Sequence, residues 1–311
     1  MAWRLFRKDE DLVRKITELR KTRNAVILAH FYERPEVQDV ADHVGDSLEL
    51  SRIASKTDAD VIVFCSVRFM AETAKILSPR KKVLLPVWGA GCPLADFADA
   101  AQIRAAKAEY PQAAVVSYVN TSAEVKALSD YCCTSANALQ VVNAVPNEEI
   151  IFVPDRNLGR WVAEQTGKRI HLWEGQCPTH QHIRAKDVAA LKAAHPDAEV
   201  LVHPECGDEV RSLATHCLST AQMLRYCEAS TAKQFILGTE MGLLHQLNKK
   251  VPGKLFLFPG NGPVCPNMKK TFLKDVADSL GEMKHEILLP EDIITSSRRA
   301  LDVLLSAVPA K

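Results

Sequence analysis

A cysteine followed directly by proline occurs three times in this chain at nearly equal intervals. These Cys-Pro cysteines are Cys92, Cys177 and Cys265, separated by 85 and 88 residues. None of the other cysteines precedes a proline. A spacing this regular predicts an internal repeat, and repeats packed around a common axis bring their equivalent loops together. The chain is therefore predicted to hold a group with three sulfur ligands.

Three thiolates in such an arrangement indicate a metal site. Thiolates are soft ligands suited to iron–sulfur clusters, zinc and copper(I). The proline after each cysteine fixes φ and removes one backbone N–H, which stiffens the loop that carries the sulfur. Four cysteines are typical of a closed structural site, whereas three leave one metal position open for a substrate.

The pattern around the Cys-Pro cysteines repeats as well. Each pass of the chain reads strand, loop, helix, strand, helix, strand and Cys-Pro loop, which is a small parallel βαβαβ unit. A hydroxyl residue at the predicted start of the first helix lies 17 residues after the end of the first strand in every pass, and the Cys-Pro cysteine lies 62, 59 and 62 residues after that strand end. The strand ends are His30, Tyr118 and His203, and the hydroxyl residues are Ser47, Ser135 and Thr220.

These repeats predict the fold class and its division. We expect an α/β protein of three pseudo-threefold-related small parallel-sheet βαβαβ sandwich domains around a central cavity. The domains are predicted at residues 1–104, with an N-terminal helix, at 105–192, and at 193–311, with C-terminal helices.

Composition limits the classes of partner. A formal net charge of +1, with both signs interspersed over 311 residues, favours neither nucleic acid nor a membrane surface, so we expect small-molecule substrates. The first ten residues lack the apolar core of a secretory signal, and the longest apolar runs are only as long as strands. These features predict a cytoplasmic protein, in which nine cysteines indicate metal binding or buried thiols rather than disulfides.

Polar residues follow the first strand of each repeat in pairs spaced i and i+2, and these are the candidate catalytic and binding residues. The spacing predicts that both members of a pair lie on the same side of an extended chain, facing the shared cavity. Local hydrogen bonds that close the strand are the alternative for any single member. The pairs are His30 with Tyr32, Tyr118 with Asn120, and His203 with Glu205.

The hydroxyl residues at the predicted helix starts have two compatible interpretations. Serine and threonine are preferred helix N-caps, which is a structural role. A helix N-terminus is also a seat for phosphate or carboxylate, so three such seats indicate a substrate with several anionic groups. His180, three residues after Cys177, is expected to support the metal site rather than bind the metal. The remaining six cysteines lie in or beside apolar segments and are expected to be buried thiols.

Several tracts of this sequence resemble the quinolinate synthase family. They are AHFYERPEVQDVADHVGDSLELSR, FMAETAKIL, AGCPLADF, YVNTSAEVKALSDYCCTSANA, PDRNLG, LWEGQCPTH, HPEC, GTEMGLLH and CPNMKK. The resemblance implies a three-domain α/β enzyme of de novo NAD biosynthesis that binds one [4Fe–4S] cluster through Cys92, Cys177 and Cys265. The implied reaction condenses iminoaspartate with dihydroxyacetone phosphate to quinolinate, phosphate and two waters, with the open iron as Lewis acid.

The resemblance also implies roles for individual residues. Glu205 matches an acid/base carboxylate, His30 and Tyr32 match proton-handling and orienting residues, and Tyr118 and Asn120 match residues near the open iron. The residues matching groups that hold phosphate or carboxylates are Ser47, Ser135, His203 and Thr220. The implied partners are an L-aspartate oxidase or dehydrogenase that supplies iminoaspartate, and iron–sulfur assembly proteins.

Two other functions are compatible with three cysteines. One is a zinc lyase or aldolase that uses a metal-bound water. The other is an iron–sulfur sensor without turnover, although the six paired polar residues argue against a protein that needs no acid/base groups.

Overall fold

The chain forms three parallel sheets separated by helices. The computed structural model describes residues 2–306, with side chains from residue 9 onward. Within that range each sheet has four strands, and all pairings between neighbouring strands are parallel. The predicted α/β class, built from three small parallel sheets, is confirmed.

The three sheets share one strand order. The first contains β1 (Ala25–His30), β2 (His43–Gly45), β3 (Val61–Cys65) and β4 (Lys82–Leu84), in the order β2-β1-β3-β4. The second contains β5 (Ala114–Tyr118), β6 (Tyr131–Cys133), β7 (Glu149–Val153) and β8 (Arg169–Leu172), in the order β6-β5-β7-β8. The third contains β9 (Glu199–Val202), β10 (His216–Cys217), β11 (Gln234–Gly238) and β12 (Leu255–Leu257), in the order β10-β9-β11-β12.

Helices connect the strands of each sheet. Around the first sheet are α1 (Ala2–Thr22), α2 (Pro35–Val40), α3 (Ser47–Lys56) and α4 (Arg68–Leu77). A 3₁₀ turn (Ala95–Phe97) and α5 (Ala100–Glu109) precede the second sheet, followed by α6 (Ala123–Ala127), α7 (Ala138–Ala144), α8 (Arg156–Thr166), α9 (Pro178–Gln181) and α10 (Ala185–Ala194). With the third sheet come α11 (Asp208–Arg211), α12 (Thr220–Ala229) and α13 (Leu243–Lys250). After the last strand, α14 (Leu273–Glu282) packs against α1 and β3 of the first sheet, and α15 (Glu291–Ser306) follows it.

The structure departs from the sequence prediction at two kinds of place. Each sheet has a short edge strand, β2, β6 or β10, which the three-strand pattern missed because two or three residues are too few to show a period. The helix predicted to start at Ser135 is present but begins later. A turn occupies residues 135–137, and α7 begins at Ala138.

The central strands explain why the apolar runs of the sequence form parallel sheets. Helices cover both faces of such a sheet, so its inner strands are apolar without alternation. All five residues of β3 and all five of β5 are buried. Polar groups therefore cluster where these strands end, and there the chain turns into loops.

The chain divides into two compact units by its internal contacts. Among the described residues, 2–92 and 266–295 form one unit, and 93–265 and 296–306 form the other. The chain thus leaves one unit directly after Cys92 and leaves the other directly after Cys265. The three domain ranges drawn from the sequence stay a prediction. In the described residues, no helix is both long and apolar enough to cross a membrane.

Candidate functional site

Glu205 is the centre of a buried polar cluster in the unit that contains the second and third sheets. It lies just after β9 and is 3% exposed. The Tyr118 hydroxyl, at the end of β5, donates to Glu205 Oε1 at 2.6 Å. His180 Nδ1 lies 2.7 Å from the other carboxylate oxygen, Oε2. Two residues far apart in the chain therefore converge on the carboxylate of a third.

His180 connects this carboxylate to a Cys-Pro cysteine. It lies in α9, which begins at Pro178 with Cys177 as its N-cap residue. The His180 Nδ1 atom is 3.2 Å from Cys177 Sγ, and its Nε2 is 3.2 Å from Thr239 Oγ1. The ring also stacks on His203, with 4.5 Å between centroids. These contacts fix both the position and the plane of the imidazole.

His203 links the cluster to a predicted hydroxyl residue. The Glu205 backbone N–H donates to His203 Nδ1 at 3.3 Å, so Nδ1 is an acceptor and the proton of the neutral ring lies on Nε2. That nitrogen is 3.1 Å from Ser135 Oγ, to which it donates. We call Tyr118, Ser135, His180, His203 and Glu205 the Glu205 cluster.

The residues of the Glu205 cluster determine the protonation state of the Glu205 side chain. Burial opposes ionisation of Glu205 and raises its pKa. The adjacent His180, with hydrogen bonds from its ring and from the Tyr118 hydroxyl, outweighs burial and holds that pKa well below its ordinary value. Glu205 is therefore an ionised carboxylate away from solvent. Burial and then the charge of Glu205 raise the pKa of neighbouring Asp155 well above its ordinary value, while hydrogen bonds from backbone N–H groups act in the opposite direction.

Two buried carboxylate side chains hold the loops of two Cys-Pro cysteines. Asp155 accepts hydrogen bonds from the backbone N–H of Leu158 at 2.7 Å and of Cys177 at 3.2 Å. In the third sheet, Glu240 accepts from the backbone N–H of Gly242 at 2.6 Å and of Cys265 at 3.2 Å. Each carboxylate lies two residues beyond a strand, β7 or β11, and is fully buried. The rigid end of a central strand thereby fixes the backbone of each cysteine.

The loop that contains Asn120 is held by hydrogen bonds from a buried ammonium group. Lys126 Nζ donates to the carbonyl oxygen of Val119 at 2.8 Å and to that of Thr121. The Asn120 side-chain oxygen is buried and accepts no hydrogen bond from any residue the structure describes. A buried amide oxygen without a donor is costly, so this position is suited to a ligand that donates or to a cation.

The unit that contains the first sheet carries the other predicted residues. The Tyr32 backbone N–H donates to His30 Nδ1 at 3.1 Å, and the two rings meet edge to face at 4.5 Å. The chain therefore turns directly after β1, as it does after β9, where the Glu205 N–H donates to His203 Nδ1. The expected extended backbone is wrong for both pairs, although the rings of His30 and Tyr32 still lie together. His30 and Tyr32 are both buried, and Cys92 is partly exposed at the end of this part of the chain.

The three predicted hydroxyl residues are not the helix caps. Asp46 caps α3 by accepting from two backbone N–H groups, and Ser219 caps α12 in a capping box. Ser47 and Thr220 are instead the first helical residues, and Ser135 lies in the turn before α7. These hydroxyl groups are thus not the caps; Ser47 Oγ lies 3.8 Å from Met70 Sδ and Ser135 Oγ lies 3.1 Å from His203 Nε2. Their ligand-binding role stays a prediction.

The structure thus brings together one part of the predicted set. Tyr118, Ser135, His203 and Glu205 form a connected network that reaches Cys177 through His180. Sequence reasoning gave His180 only a supporting role and missed Asp155 and Glu240. A signal for the last two exists, because each lies 37 residues after the strand end Tyr118 or His203.

Comparison with known proteins gives matches over nearly the whole chain. A family model described as quinolinate synthetase A protein matches residues 14–306. The chain is 53% identical over 300 residues to the quinolinate synthase of Geobacter metallireducens, covering 96% of this chain and 98% of that relative. It is 53% identical to the quinolinate synthase of Thermodesulfovibrio yellowstonii, with 95% and 98% covered, and 50% identical to quinolinate synthase 1 of Methanosarcina acetivorans, with 95% and 97% covered. The matched range includes all three sheets and all three Cys-Pro cysteines.

Proposed function

The chain belongs to the quinolinate synthetase A family, and on that premise we propose that it is a quinolinate synthase. The proposed reaction condenses iminoaspartate with dihydroxyacetone phosphate and yields quinolinate, phosphate and two waters. The observation that carries the proposal is the contact of Tyr118 and His180 with the buried, ionised Glu205. A condensation with two dehydrations needs groups that remove and return protons, and the Glu205 cluster supplies such groups.

We assign the three Cys-Pro cysteines as ligands of one [4Fe–4S] cluster. The chemistry of the nine cysteines supports this choice, since thiolates bind iron and buried thiols do not ionise. Burial raises the pKa of each of the six other cysteines, to about 12 for Cys217 and Cys227. Cys92, Cys177 and Cys265 are partly exposed, as is Cys217 despite its raised pKa, and buried carboxylates fix the backbone of Cys177 and Cys265. When bound, an iron without a protein ligand supplies Lewis-acid chemistry toward a substrate oxygen, nitrogen or carboxylate.

Glu205 is proposed as the acid/base residue. Its ionised state suits removal of a proton next to a carbonyl, and its position lets Tyr118 and His180 exchange protons with it. His30 and Tyr32 are proposed to orient the substrate and handle protons. Asn120, with its buried amide oxygen, is proposed to bind close to the open iron.

The anionic groups of the substrates need donors. Ser47 and Thr220 occupy the first turn of α3 and α12, where backbone N–H groups and the helix dipole favour phosphate or carboxylate. Ser135 and His203 are proposed to bind a second anionic group as a hydrogen-bonded pair. This assignment matches a reaction in which one substrate carries a phosphate and the other carries carboxylates.

The proposed setting is the cytoplasm, in de novo NAD biosynthesis. Iminoaspartate would come from an L-aspartate oxidase or dehydrogenase, and iron–sulfur assembly proteins would load the cluster. The reducing environment agrees with the absence of disulfides among the described cysteines.

The decisive test is product formation by anaerobically purified protein supplied with both substrates. Quinolinate should accumulate with release of one phosphate per product, and the protein should contain about four irons, as expected for this cluster. Cys177→Ala should lose the iron and the activity, whereas Cys227→Ala, a matched control at a buried thiol in α12, should keep both. A wild-type protein that contains iron and forms no quinolinate would refute the proposed reaction.

A further inference from the structure

Cys177, His180 and Glu205 offer three different donor atoms within a small volume. A sulfur, an imidazole nitrogen and a carboxylate oxygen of these residues all lie within 4.8 Å of one another. His180 Nδ1 is 3.2 Å from Cys177 Sγ and 2.7 Å from Glu205 Oε2. Zinc binds S, N and O donors at about 2.0–2.3 Å in a tetrahedron, so donors around it are separated by roughly 3.3–3.8 Å. Shifts of about 1 Å or less would bring these three atoms to that geometry.

We propose that the chain, when it holds no iron–sulfur cluster, binds one divalent cation of the zinc type through Cys177 Sγ, His180 Nδ1 and Glu205 Oε2. The mixed donor set is typical of zinc and its analogue cobalt(II). It leaves a fourth position for water. The site lies wholly within the unit of the second and third sheets, and neither Cys92 nor Cys265 contributes to it.

The surroundings of the three donors support a bound cation. His180 Nδ1 faces both Cys177 Sγ and Glu205 Oε2, so a bound cation would take the place of the proton between His180 and the carboxylate. When the cation binds, the thiol proton goes to solvent, and the imidazole proton must lie on Nε2, where Thr239 Oγ1 accepts it at 3.2 Å. Tyr118 orients the carboxylate from its other oxygen. Such contacts from outside the ligand shell are a regular part of zinc sites.

This cation and the proposed cluster exclude each other, because both use the sulfur of Cys177. The exclusion rests on the proposed function, whereas the cation site does not. Zinc that reaches the chain before the cluster would therefore block cluster loading. Cys177 is partly exposed and gives the cation a route to the two buried donors.

Cobalt(II) titration of anaerobic, metal-free protein tests the site. Wild-type protein should bind one cobalt(II) with a thiolate charge-transfer band, and zinc should displace it. The Cys92→Ala/Cys265→Ala double variant should bind cobalt(II) as tightly as wild type. Cys177→Ala should lose the band. His180→Asn removes a ligand and should bind at least about 10-fold more weakly, because loss of a group that only supports a ligand already costs about that much. His182→Asn, at an exposed histidine two residues away, is the matched control and should bind normally.

X-ray absorption of the zinc-loaded wild type answers the same question without a variant. One sulfur and three lighter atoms around zinc are expected. Three sulfurs, or a double variant that binds as poorly as Cys177→Ala, would overturn the proposal and place the cation on the Cys-Pro cysteines. Failure of the proposed function is a separate result, because it appears as iron-loaded protein that forms no quinolinate.

Discussion

At the scale of single residues, Glu205 has the most unusual environment. It is buried, yet its partners keep it ionised by supplying hydrogen bonds to both oxygens. The same contacts weaken it as a base, because they stabilise the ionised form. We therefore expect the substrate to replace at least one of these contacts when it binds, which would raise the pKa of Glu205 toward the range where it can hold a proton.

Glu205→Gln separates this chemical role from a structural one. The amide has the same shape but cannot carry the proton, so product formation should fall by at least about 100-fold, the lower range for acid/base catalysis. Iron content and brown colour should match wild type, since Glu205 is not proposed as a cluster ligand. Quinolinate formation is the measurement, and Glu209→Gln at an exposed neighbour is the control. Activity within a few-fold of wild type would remove the acid/base assignment.

At the scale of elements, the loop after the first strand of each sheet is held by a side-chain hydrogen-bond donor at an equivalent position. The donor is a different residue type in each sheet. A side-chain donor lies eight residues after each strand end. It donates to the backbone carbonyl oxygen of the residue that lies three residues after the same strand end. The donors are Gln38 to Glu33, Lys126 to Thr121, and Arg211 to Cys206. Each donor therefore stabilises a loop that carries candidate site residues.

The loops of Cys177 and Cys265 are held by Asp155 and Glu240 in a comparable way. Asp155→Asn and Glu240→Gln each leave one oxygen that can accept, so one of the two backbone N–H groups loses its acceptor. The loss of one such hydrogen bond, about 1.4 kcal/mol, should speed cluster removal by a chelator about 10-fold. Iron release followed by absorbance measures this effect.

The matched control for these two variants is Asp99→Asn. Asp99 is the exposed N-cap residue of α5, and its side chain accepts from the Gln102 N–H rather than from the N–H of a cysteine. Cluster release at the wild-type rate in both loop variants would contradict the positioning role. The prediction depends on the proposed ligand role of the two cysteines, which the iron content of wild-type protein establishes first.

At the scale of the whole molecule, the apolar cores do not use the Cys-Pro cysteines. Three apolar core clusters of the described residues contain strand and helix residues such as Ile27, Val115 and Val200, and none of these three includes a Cys-Pro cysteine. The Cys-Pro cysteines lie on loops beyond the strand ends. Folding therefore draws on apolar burial and sheet hydrogen bonds, unlike small zinc domains whose folding free energy is metal binding.

Metal removal should accordingly leave the fold intact. After anaerobic chelation, the far-UV circular dichroism spectrum should match that of the iron-loaded protein, and thermal unfolding should stay cooperative. The melting temperature should fall only by the binding contribution of the cluster. Reloading iron and sulfide onto folded apoprotein is the control for reversibility. Loss of the helical signal on chelation would show that the cluster is needed for folding.

Much of the fold followed from patterns within short segments. Apolar runs marked the central strands, and the constant offset of 17 residues between strand end and hydroxyl residue marked the three repeats. The edge strands β2, β6 and β10 were not predicted, because a segment as short as the two residues of β10 shows no periodicity. The helix at Ser135 was placed too early, because Thr134 and Asn137 hydrogen-bond to each other and form a turn before α7.

The candidate site was only partly readable from the sequence. Tyr118, His203 and Glu205 could be chosen because they lie at strand ends in equivalent repeats. The contact between Tyr118 and Glu205 joins residues 87 positions apart, and no local pattern encodes it. His180 was underestimated for the same reason, since its importance comes from touching Glu205 and Cys177 at once.

The sequence by itself determined the α/β class, the repeated order of elements, the Cys-Pro cysteines and the family. These depend on backbone hydrogen bonding, burial and chain spacing, which local residue order controls. Only the tertiary structure decided which side chains meet, that Glu205 is ionised, and that two buried carboxylate side chains hold the cysteine loops. Those features depend on how separate sheets pack, because packing sets the distances on which charge interactions and hydrogen bonds depend.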